Sequence, residues 1–506
     1  MRGTSYVGID IGTSGCKAVL LGDGGAVLHT EWEGYAAYRG TDGEVSQDAG
    51  DWDRAAAATL AGCGAAAREA GLEVGGICCT GVAHTMVLLD DRDQPLDRAI
   101  LPFDRRSADA AARMLKAYGP ALFDRTFVQL GPSWTLPQLA WLRGRSPEMW
   151  PRIRRALVTK DYLAYRLTGR AATDPSDAAG TAMFDQLTGD WADDLLQEAG
   201  LSRDQVAPVL PATAVAGGLT AKWAAITGIP AGTPVAVGAT DTAAELVSLG
   251  ATEPGSGLVK IASTGTVVAV VDTPLPNPVV LTYPCAIPER WYVMTATNTA
   301  ATAYAWLRET VFAAARGEPA ATYAEMDEFA SAVPPGSEGV LFLPFLEGER
   351  SPYWDPDLRA AFLGVSSAHQ RSHLARAVLE GVALSIRDCR DQLSGLGTTV
   401  SRPVFTGGGA TSRLWRTILA SVLDTPGSLA TPQGPAVGAA QIAAAAASGE
   451  DLRERLAAAR PTLEPVEPDA RWVPTYDRVY ATYREAARCL ADISHQMVRT
   501  AREAAI

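Results

Sequence analysis

The pattern of apolar and polar positions near the N-terminus predicts a three-stranded β-meander with glycine-rich turns. Its strands and turns fall at residues 6–10, 12–15, 16–21, 23–25 and 26–30. A similar strand, Gly/Thr turn and strand return at residues 257–271, and Thr13 and Thr266 of the two turns lie half a chain length apart. We interpret this as an internal duplication that gives two related α/β halves facing one another across a cleft; chance similarity of two short turns is the alternative.

Strands and helices alternate along most of the remaining chain, which is typical of α/β architecture with helices covering largely parallel sheets. Residues 136–143 and 160–168 have helical patterns, whereas the polar stretch 173–194 reads as loops. A closing helix that packs back on the body is predicted by apolar side chains at helical spacing, namely Tyr476, Val479, Tyr480, Tyr483 and Ala487. The predicted divisions of the chain are residues 1–250, residues 251–450 and, as a helical extension, residues 451–506.

Composition narrows the function to small-molecule chemistry. The 506 residues are 47% hydrophobic and 20% charged, which excludes a disordered or fibrous chain. The net charge of −13 would repel nucleic acid and anionic membranes, and the longest uncharged stretches lack the apolar density of a membrane span. The seven cysteines form no disulfide framework or CxxC pair, and the N-terminus lacks the features of a signal peptide, so we expect a cytoplasmic protein.

The turn of the first meander carries candidate phosphate ligands. Asp10 ends an apolar strand, and small and hydroxyl-bearing residues follow up to Lys17. Backbone N–H groups of such a turn can cradle phosphate oxygens, and Thr13 and Ser14 can add hydroxyl groups. Lys17 can neutralise charge, and Asp10 can hold Mg²⁺ through its water shell. An ordinary hairpin turn is the alternative.

Two glycine-containing turns in the second half are further candidates for nucleotide binding. The turn of the second meander, with Gly265 and Thr266, would present a second set of N–H and hydroxyl donors. Farther along, an apolar strand leads into Gly407, Gly408 and Gly409 and then into an amphipathic helix, so a flat ring or a phosphate could approach the backbone near a helix N-terminus. Tight connections without a ligand are the alternatives. The patterns GxGxxG and GK[ST] are absent at this triple glycine, which argues against a Rossmann site and a P-loop.

Asp241 is the candidate catalytic base. It lies where an apolar strand ends and a helix begins, a place where ligands gather in α/β proteins. Thr242 and Glu245 fit a capping box, which would cap the helix one residue later and leave Asp241 available for chemistry. A carboxylate there could accept the proton of a substrate hydroxyl as it attacks a terminal phosphate, while helix capping by Asp241 itself is the alternative.

His84 and Asp104 are candidate ligands for a polyol. His84 interrupts an apolar strand and could donate a hydrogen bond to a hydroxyl, although a satisfied core histidine has the same pattern. Asp104 precedes Arg105 and Arg106 and could accept two sugar hydroxyls, with a surface ion pair as the alternative. None of the five histidines forms a convincing metal cage with nearby cysteines or carboxylates, so a zinc enzyme is not expected.

Taken together, these segments resemble the FGGY family of carbohydrate kinases over nearly the whole chain. The motifs that carry the resemblance fall at residues 10–14, 81–84, 100–106, 160–169, 173–181, 238–243, 345–355 and 407–409. Residues 364–365 and 373–380 are also similar to the family's C-terminal signature. The order and spacing of these motifs make the match specific.

The resemblance implies an α/β protein with the actin-like/Hsp70-like ATPase fold, in which two ribonuclease-H-like domains flank an interdomain cleft. Sugar would bind mainly to the first domain and ATP in the cleft. By similarity, Asp241 would be the base and contact the sugar, Asp10 would be the acid associated with Mg²⁺, and His84 and Asp104 would bind the sugar. The implied nucleotide contacts are Thr13, Ser14, Lys17, Gly265, Thr266, Gly407, Gly408 and Gly409. Members of the family are often dimers, so a homodimer is expected by analogy.

Both sugar motifs depart from the pattern of the family members that phosphorylate xylulose. Those members tend to have Gln-Met-His and Trp-Asn-Asp, whereas this chain has Val82-Ala83-His84 and Pro102-Phe103-Asp104. We expect ATP- and Mg²⁺-dependent phosphorylation of a primary hydroxyl of a small open-chain sugar, with D-xylulose favoured. Another pentulose, a tetrulose, a polyol or gluconate is the alternative. A non-catalytic nucleotide switch resembling actin or Hsp70 is the alternative from another class.

Overall fold

The computed structural model describes residues 3–41, 43–313 and 321–504. The strands are β1 (Thr4–Ile11), β2 (Gly15–Gly22), β3 (Val27–Gly34), β4 (Tyr38–Arg39), β5 (Val45–Gln47), β6 (Glu73–Gly81), β7 (Met86–Leu89), β8 (Ala99–Ile100), β9 (Arg155–Val158), β10 (Phe184–Asp185), β11 (Asp190–Trp191), β12 (Val215–Gly218), β13 (Pro234–Ala236), β14 (Ser256–Ile261), β15 (Gly265–Val271), β16 (Leu281–Pro284), β17 (Trp291–Ala296), β18 (Leu341–Leu343), β19 (Ala361–Leu363), β20 (Arg402–Thr406), β21 (Gly427–Thr431) and β22 (Thr462–Val466).

The α-helices are α1 (Ala49–Glu69), α2 (Ala108–Thr126), α3 (Thr135–Arg145), α4 (Thr159–Thr168), α5 (Pro175–Ala179), α6 (Asp193–Glu198), α7 (Ala221–Thr227), α8 (Asp241–Ser248), α9 (Ala301–Thr310), α10 (Tyr323–Ser331), α11 (Arg371–Gly395), α12 (Arg413–Leu423), α13 (Pro435–Ser448), α14 (Leu452–Ala458) and α15 (Val473–Ala504). The two helices predicted at 136–143 and 160–168 correspond to α3 and α4. None of the helices in the described part of the chain combines the length and apolar character needed to cross a lipid bilayer.

The chain divides into two compact units, each assembled from separate segments. Unit 1 comprises Met1–Thr252, Asp272–Tyr292 and Pro432–Thr462. Unit 2 comprises Glu253–Val271, Val293–Thr431 and Leu463–Ile506. These units differ from the contiguous ranges predicted above, because two later segments of the chain return to unit 1.

A six-stranded sheet with the order β12-β13-β6-β1-β2-β3 forms the centre of unit 1. β1, β2 and β3 are antiparallel neighbours, which confirms the predicted meander. β6 pairs with β1 in parallel, and β13 pairs with β6 in parallel. Alternation along β1 buries Val7, Ile9 and Ile11 in the same apolar cluster as Trp52 and Leu60 of α1. α13, which is rich in alanine, packs on β1, β6 and α8.

Unit 2 contains a sheet in which β17, β15, β14, β20, β21 and β22 are neighbours in that order. β14 and β15 form the second predicted hairpin, β20 runs parallel to β14, and β21 runs parallel to β20. The order β17-β15-β14-β20-β21 repeats the order β3-β2-β1-β6-β13 of unit 1. This repeated topology supports two related halves, and a duplication event remains our interpretation.

The predicted closing helix is α15, which contacts α11, α12 and β18 of unit 2. Tyr476, Tyr480, Tyr483 and Ala487 are buried along one face of this helix, as their spacing predicted. Tyr476 donates a hydrogen bond to Glu380 of α11 at 2.9 Å. α15 is therefore held in unit 2 by both apolar and polar contacts.

The prediction of loops at residues 173–194 is wrong. This segment contains α5, the antiparallel pair of β10 and β11, and the start of α6. Its polar side chains misled the prediction, because several of them are buried and paired with one another. Asp174, Ser176 and Asp177 each expose 2% or less of their surface.

Candidate active site

Three predicted site residues of unit 1 lie at or just beyond the carboxyl ends of neighbouring strands. Asp10 is close to the end of β1, His84 follows β6, and Asp241 follows β13. Because these strands are parallel and adjacent in the order β13-β6-β1, their carboxyl ends meet at one edge of the sheet. Ligands of α/β proteins bind at this edge. The fold therefore places the predicted base, the predicted sugar ligand and the predicted magnesium-associated acid at the same edge.

The connection from β13 to α8 follows a path that only glycine allows. Gly238 has a φ of +82°, and a Cβ atom at this position would lie 2.1 Å from the carbonyl oxygen of Cys79. In addition, the hydroxyl of Thr80 donates a hydrogen bond to the carbonyl of Ala239 at 2.7 Å. β6 thus sets the course of the chain that leads to Asp241.

Asp241 is the first residue of α8, and the capping box predicted at Thr242 is wrong. The cap is Thr240, whose hydroxyl oxygen accepts a hydrogen bond from the amide of Ala243 at 3.4 Å. Oδ1 of Asp241 accepts hydrogen bonds from the amide of Thr242 at 2.6 Å and from its hydroxyl at 3.2 Å. The carboxylate is half-buried at the start of a helix, where the helix dipole favours a negative charge. Asp241 is therefore not the helix cap, which agrees with the prediction, but the cap is the residue before it and not the residue after it.

His84 is held in one orientation and one tautomer. Its Nδ1 atom lies 3.2 Å from the carbonyl oxygen of Ser133, and its Nε2 atom lies 2.9 Å from the hydroxyl of Tyr283. A carbonyl can only accept, so Nδ1 carries the proton of a neutral ring and Nε2 accepts from Tyr283. His84 also has a φ of +63°, an uncommon backbone conformation for a residue with a side chain.

An aromatic wall continues from His84 towards the start of α8. The His84 ring stacks on Trp134 with centroids 4.3 Å apart, and Tyr283 stacks on Tyr292 at 5.4 Å. The hydroxyl of Tyr292 lies 3.4 Å from the hydroxyl of Thr240, the residue before Asp241. Burial raises the pKa of Tyr292 well above its usual value, and the charges of Tyr283 and Asp241 raise it further. Sequence reasoning missed these three aromatic residues, which carry no motif and come from distant segments.

Asp104 is buried, and its carboxylate is engaged within unit 1. Its Oδ2 atom accepts a hydrogen bond from the amide of Val45 at 2.9 Å, and its Oδ1 atom accepts one from the amide of Arg106 at 2.9 Å. The Arg106 guanidinium adds an ion pair at 2.8 Å. The ion pair considered from the sequence is thus present, but it is buried at Asp104, whose surface is only 1% exposed. A sugar contact by Asp104 stays a prediction.

The turn of the first hairpin, which carries candidate phosphate ligands, keeps its polar groups on the surface. Asp10 and Lys17 are directly opposite one another in β1 and β2, so their side chains share one face of the sheet. Thr13, Ser14 and Lys17 are exposed, while Asp10 is half-buried. The side chain of Gln47 donates a hydrogen bond to the carbonyl of Thr13 at 2.8 Å, which orders the turn.

The turn of the second hairpin, in unit 2, is tied to the segment after β17. The amide of Gly265 donates to the hydroxyl of Thr297 at 2.9 Å, and the carbonyl of Gly265 accepts from the amide of Thr297 at 2.8 Å. Both backbone groups of Gly265 therefore serve internal bonds. Thr266 is half-buried opposite Lys260. Contacts of Gly265 and Thr266 with a nucleotide stay predictions.

The triple glycine follows β20 in unit 2, as predicted. Gly407 has a φ of +84°, and Gly408 is exposed. A short 3-10 turn, Gly408–Thr411, lies between β20 and α12, whose cap is Ser412. Gly408 and Gly409 thus belong to a 3-10 turn and do not lie directly at the helix N-terminus that the sequence suggested.

A buried ion cluster near α5 was not assigned a role from the sequence. Nζ of Lys160 lies 2.5 Å from Asp161, 3.1 Å from Asp174 and 3.2 Å from Asp177. Burial raises the pKa of Asp161 to about 6, with the charge of Lys160 opposing the shift. Burial likewise raises the pKa of Asp177 well above its usual value. All four residues lie in the two motifs at 160–169 and 173–181 that resemble the family. Their presence in these motifs was the one feature of the sequence that could have pointed to the cluster.

Two family models cover most of the chain. The N-terminal domain of the FGGY family of carbohydrate kinases matches residues 5–248, and the C-terminal domain of the same family matches residues 258–447. The chain belongs to the FGGY family of carbohydrate kinases. This FGGY protein is a sugar kinase, that is, a phosphotransferase, which confirms the predicted enzyme class.

Individual relatives of this FGGY kinase match over nearly its full length. The xylulose kinase of Escherichia coli strain K12 is 33% identical over 487 residues, which cover 95% of this chain and 98% of the relative. A crystal structure of a xyloylose kinase from Brucella ovis has a TM-score of 0.90 at 32% identity and covers 97% of this chain and 100% of its own. The xylulose kinase structure from Rhodospirillum rubrum has a TM-score of 0.87 at 30% identity, with coverage of 97% and 100%. The actin-like ATPase fold with two domains is thereby confirmed.

Proposed function

We propose that this FGGY kinase transfers the terminal phosphate of MgATP to a primary hydroxyl of D-xylulose. The observation that carries the proposal is the meeting of Asp10, His84 and Asp241 at one edge of the unit 1 sheet. The relatives named xylulose kinase favour this sugar over other small polyols. The residues before His84 and Asp104, Val82-Ala83 and Pro102-Phe103, differ from the pattern of family members that phosphorylate xylulose, so the identity of the sugar needs a direct test.

The chemistry assigned to Asp241 is that of a general base. Its carboxylate would orient the attacking hydroxyl of the sugar and take its proton as the bond to phosphorus forms. Two donors from Thr242 hold Oδ1, which orients the carboxylate at the start of α8. His84, fixed by Ser133 and Tyr283, would position the sugar chain so that the reacting hydroxyl meets Asp241.

The phosphates are assigned to residues of both units. In unit 1, Lys17 would offset the negative charge of the phosphates, and Thr13 and Ser14 would bind phosphate oxygens. From unit 2, the candidate contacts are Gly265, Thr266, Gly407, Gly408 and Gly409. The turns that carry Thr13, Ser14 and Gly408 are already exposed, which supports their access to phosphates.

Magnesium would arrive with ATP as part of the substrate. Among the described residues, no group of three or more His, Cys, Asp or Glu side chains could hold a metal ion by itself. A single carboxylate such as Asp10 fits Mg²⁺ in this role, since that ion is usually held by one or two carboxylates together with phosphate oxygens and water. When bound, the ion supplies positive charge next to the transferred phosphate.

The proposal is tested with a panel of acceptors in a coupled assay of ADP release. The panel contains D-xylulose, other pentuloses, a tetrulose, several polyols and gluconate, and each product is identified by its mass and by the position of its phosphate. We expect the highest kcat/KM for D-xylulose, with the phosphate on a primary hydroxyl. A clear preference for another acceptor would overturn the choice of sugar, and ATP hydrolysis without any phosphosugar would overturn the kinase mechanism.

His84→Ala provides a matched test of the sugar site. We expect its KM for the preferred sugar to rise by roughly 10-fold or more, because the imidazole ring that would hold the sugar chain is lost, while its KM for ATP stays within about 2-fold. An unchanged KM for the sugar would contradict the role of His84.

Two further properties are proposed from analogy and composition. All seven cysteines are unpaired, which supports action in a reducing cytoplasm. A homodimer is proposed because members of the family are often dimers. Light scattering after size-exclusion chromatography measures the mass of the particle, and a monomeric mass would contradict the dimer.

A further inference from the structure

The short helix α5 and Gly180, which caps its C-terminus, contact His84 and the residue before Asp241. On one side, the hydroxyl oxygen of Ser176 accepts a hydrogen bond from the amide of Thr240 at 3.0 Å. On the other side, Gly180 packs so closely on the His84 ring that a Cβ atom at Gly180 would lie 3.0 Å from Cδ2 of His84. α5 is thus a common support for the sugar ligand and for the start of α8.

The hydroxyl of Ser176 is oriented by Asp174. Oδ2 of Asp174 accepts hydrogen bonds from the amide of Ser176 at 2.9 Å and from its hydroxyl at 2.6 Å. Since the hydroxyl proton points to Asp174, a lone pair of the same oxygen faces the amide of Thr240. Both Ser176 and Thr240 are essentially inaccessible to solvent, at 0% and 1% exposure. The Thr240 amide therefore relies on this acceptor, because water cannot reach it.

Asp174 is itself held by a buried charge. Nζ of Lys160 lies 3.1 Å from Oδ1 of Asp174, the oxygen that does not bind the Ser176 hydroxyl. Asp161 and Asp177 complete the cluster around Lys160, with 1% and 2% exposure. Burying an ammonium and three carboxyl groups is unfavourable compared with apolar packing of the same volume, so the cluster is a poor device for stability alone. Its fixed geometry is better matched to precise placement of a neighbouring group.

We propose that Lys160, Asp174 and Ser176 form a positioning relay that fixes Thr240 and, through it, the Asp241 carboxylate at the start of α8. The inference rests on the proposed function, in which Asp241 is the base. The relay residues do not touch the reacting atoms and act through Asp241. Loss of the relay should therefore lower turnover more than substrate binding, because a shift of about 1 Å in a catalytic group can reduce the rate by roughly 100-fold.

The test uses Ser176→Ala in the full-length enzyme, with Ser5→Ala as the matched control. Ser5 is a fully buried serine of the same unit whose hydroxyl donates to the carbonyl of Glu73 at 3.0 Å, far from the proposed site in the fold. We expect Ser176→Ala to lower kcat by roughly 10- to 100-fold while both KM values stay within about 2-fold, and Ser5→Ala to leave kcat unchanged. Normal turnover in folded Ser176→Ala would overturn the relay.

A double-variant cycle separates the relay from a general loss of structure. If Ser176 acts through Asp241, adding Ser176→Ala to Asp241→Asn should cause no further loss of turnover. An additional loss equal to that of the single Ser176 variant would overturn the relay. The Asp241→Asn single variant reports separately on the proposed base: if it alone keeps near-normal turnover, the proposed mechanism fails whatever the cycle gives. If Ser176→Ala does not yield folded protein, Ser176→Cys, which keeps the shape but is a weak acceptor, takes its place with the same expected results.

Discussion

Glu349 of unit 2 makes the stability of the protein depend on pH in a direction opposite to that of most carboxylates. The residue is 2% exposed, and its Oε1 atom accepts hydrogen bonds from the amide of Asn298 at 2.6 Å and from the amide of Arg350 at 2.8 Å. Its Oε2 atom has no hydrogen-bond partner among the described residues. Burial raises the pKa of Glu349 to about 8, although these hydrogen bonds and the charge of Arg350 oppose the shift.

The sign follows from the two pKa values of Glu349. In the unfolded chain the group titrates near 4.5, whereas in the folded protein it keeps its proton up to about pH 8. Between these values the folded state binds more protons at Glu349, so the contribution of this group to stability is fully present below pH 4.5 and is lost as the pH rises towards 8. The limit for one group is about 1.4 kcal/mol per pH unit. Across the whole window this amounts to roughly 5 kcal/mol at most.

Glu349→Gln removes the titration while keeping the shape and the Oε1 acceptor. We measure urea unfolding of the wild type, of Glu349→Gln and of the control Glu347→Gln, whose parent side chain is exposed, at several pH values between 4.5 and 8. We expect the difference in unfolding free energy between Glu349→Gln and the wild type to increase with pH in favour of the variant, and Glu347→Gln to follow the wild type. Parallel pH dependences for the wild type and Glu349→Gln would refute the reasoning.

Two further variants test the packing within units 1 and 2. Tyr476→Phe removes a hydroxyl that accepts a hydrogen bond from Arg376 at 2.7 Å and donates one to Glu380 at 2.9 Å. We expect the free energy of unfolding in urea to fall by about 1–3 kcal/mol with kcat unchanged, and an unfolding free energy equal to that of the wild type would contradict this role. Gly238→Ala places a Cβ atom against the carbonyl oxygen of Cys79, so we expect a lower melting temperature and a lower kcat. If both values are unchanged, the connection between β13 and α8 is not constrained as described.

The sequence predicted the hairpins and the strand ends well, because their signals are local. Alternation predicts β1 and an apolar run predicts β2, and the glycine and hydroxyl residues between them favour a turn. Asp241 could be chosen as the candidate base because it follows an apolar strand. The residue that caps α8 could not be predicted, since Thr240 and Thr242 both fit the role of a cap and only the backbone distinguishes them.

The wrong prediction at residues 173–194 has its physical origin in buried polar groups. These residues read as loops because the sequence does not reveal that Lys160, in the preceding helix α4, neutralises part of the charge of Asp174 and Asp177. The sequence likewise does not show that the Asp104 carboxylate turns towards Arg106, and a sugar contact by Asp104 stays a prediction. Composition also gave no sign that residues 432–462 return to unit 1, since an alanine-rich helix suits either unit.

Turnover by Asp241→Asn tests the central claim most directly. The substitution preserves size and the acceptor for Thr242, and Asp193→Asn is its control, because Asp193 is also the first residue of a helix in unit 1. With the preferred sugar, we predict that Asp241→Asn lowers kcat by about 100- to 10,000-fold while calorimetry gives near-normal affinity for sugar and for ATP, and that Asp193→Asn keeps wild-type turnover. Near-normal turnover by Asp241→Asn would contradict the assignment of this carboxylate as the base.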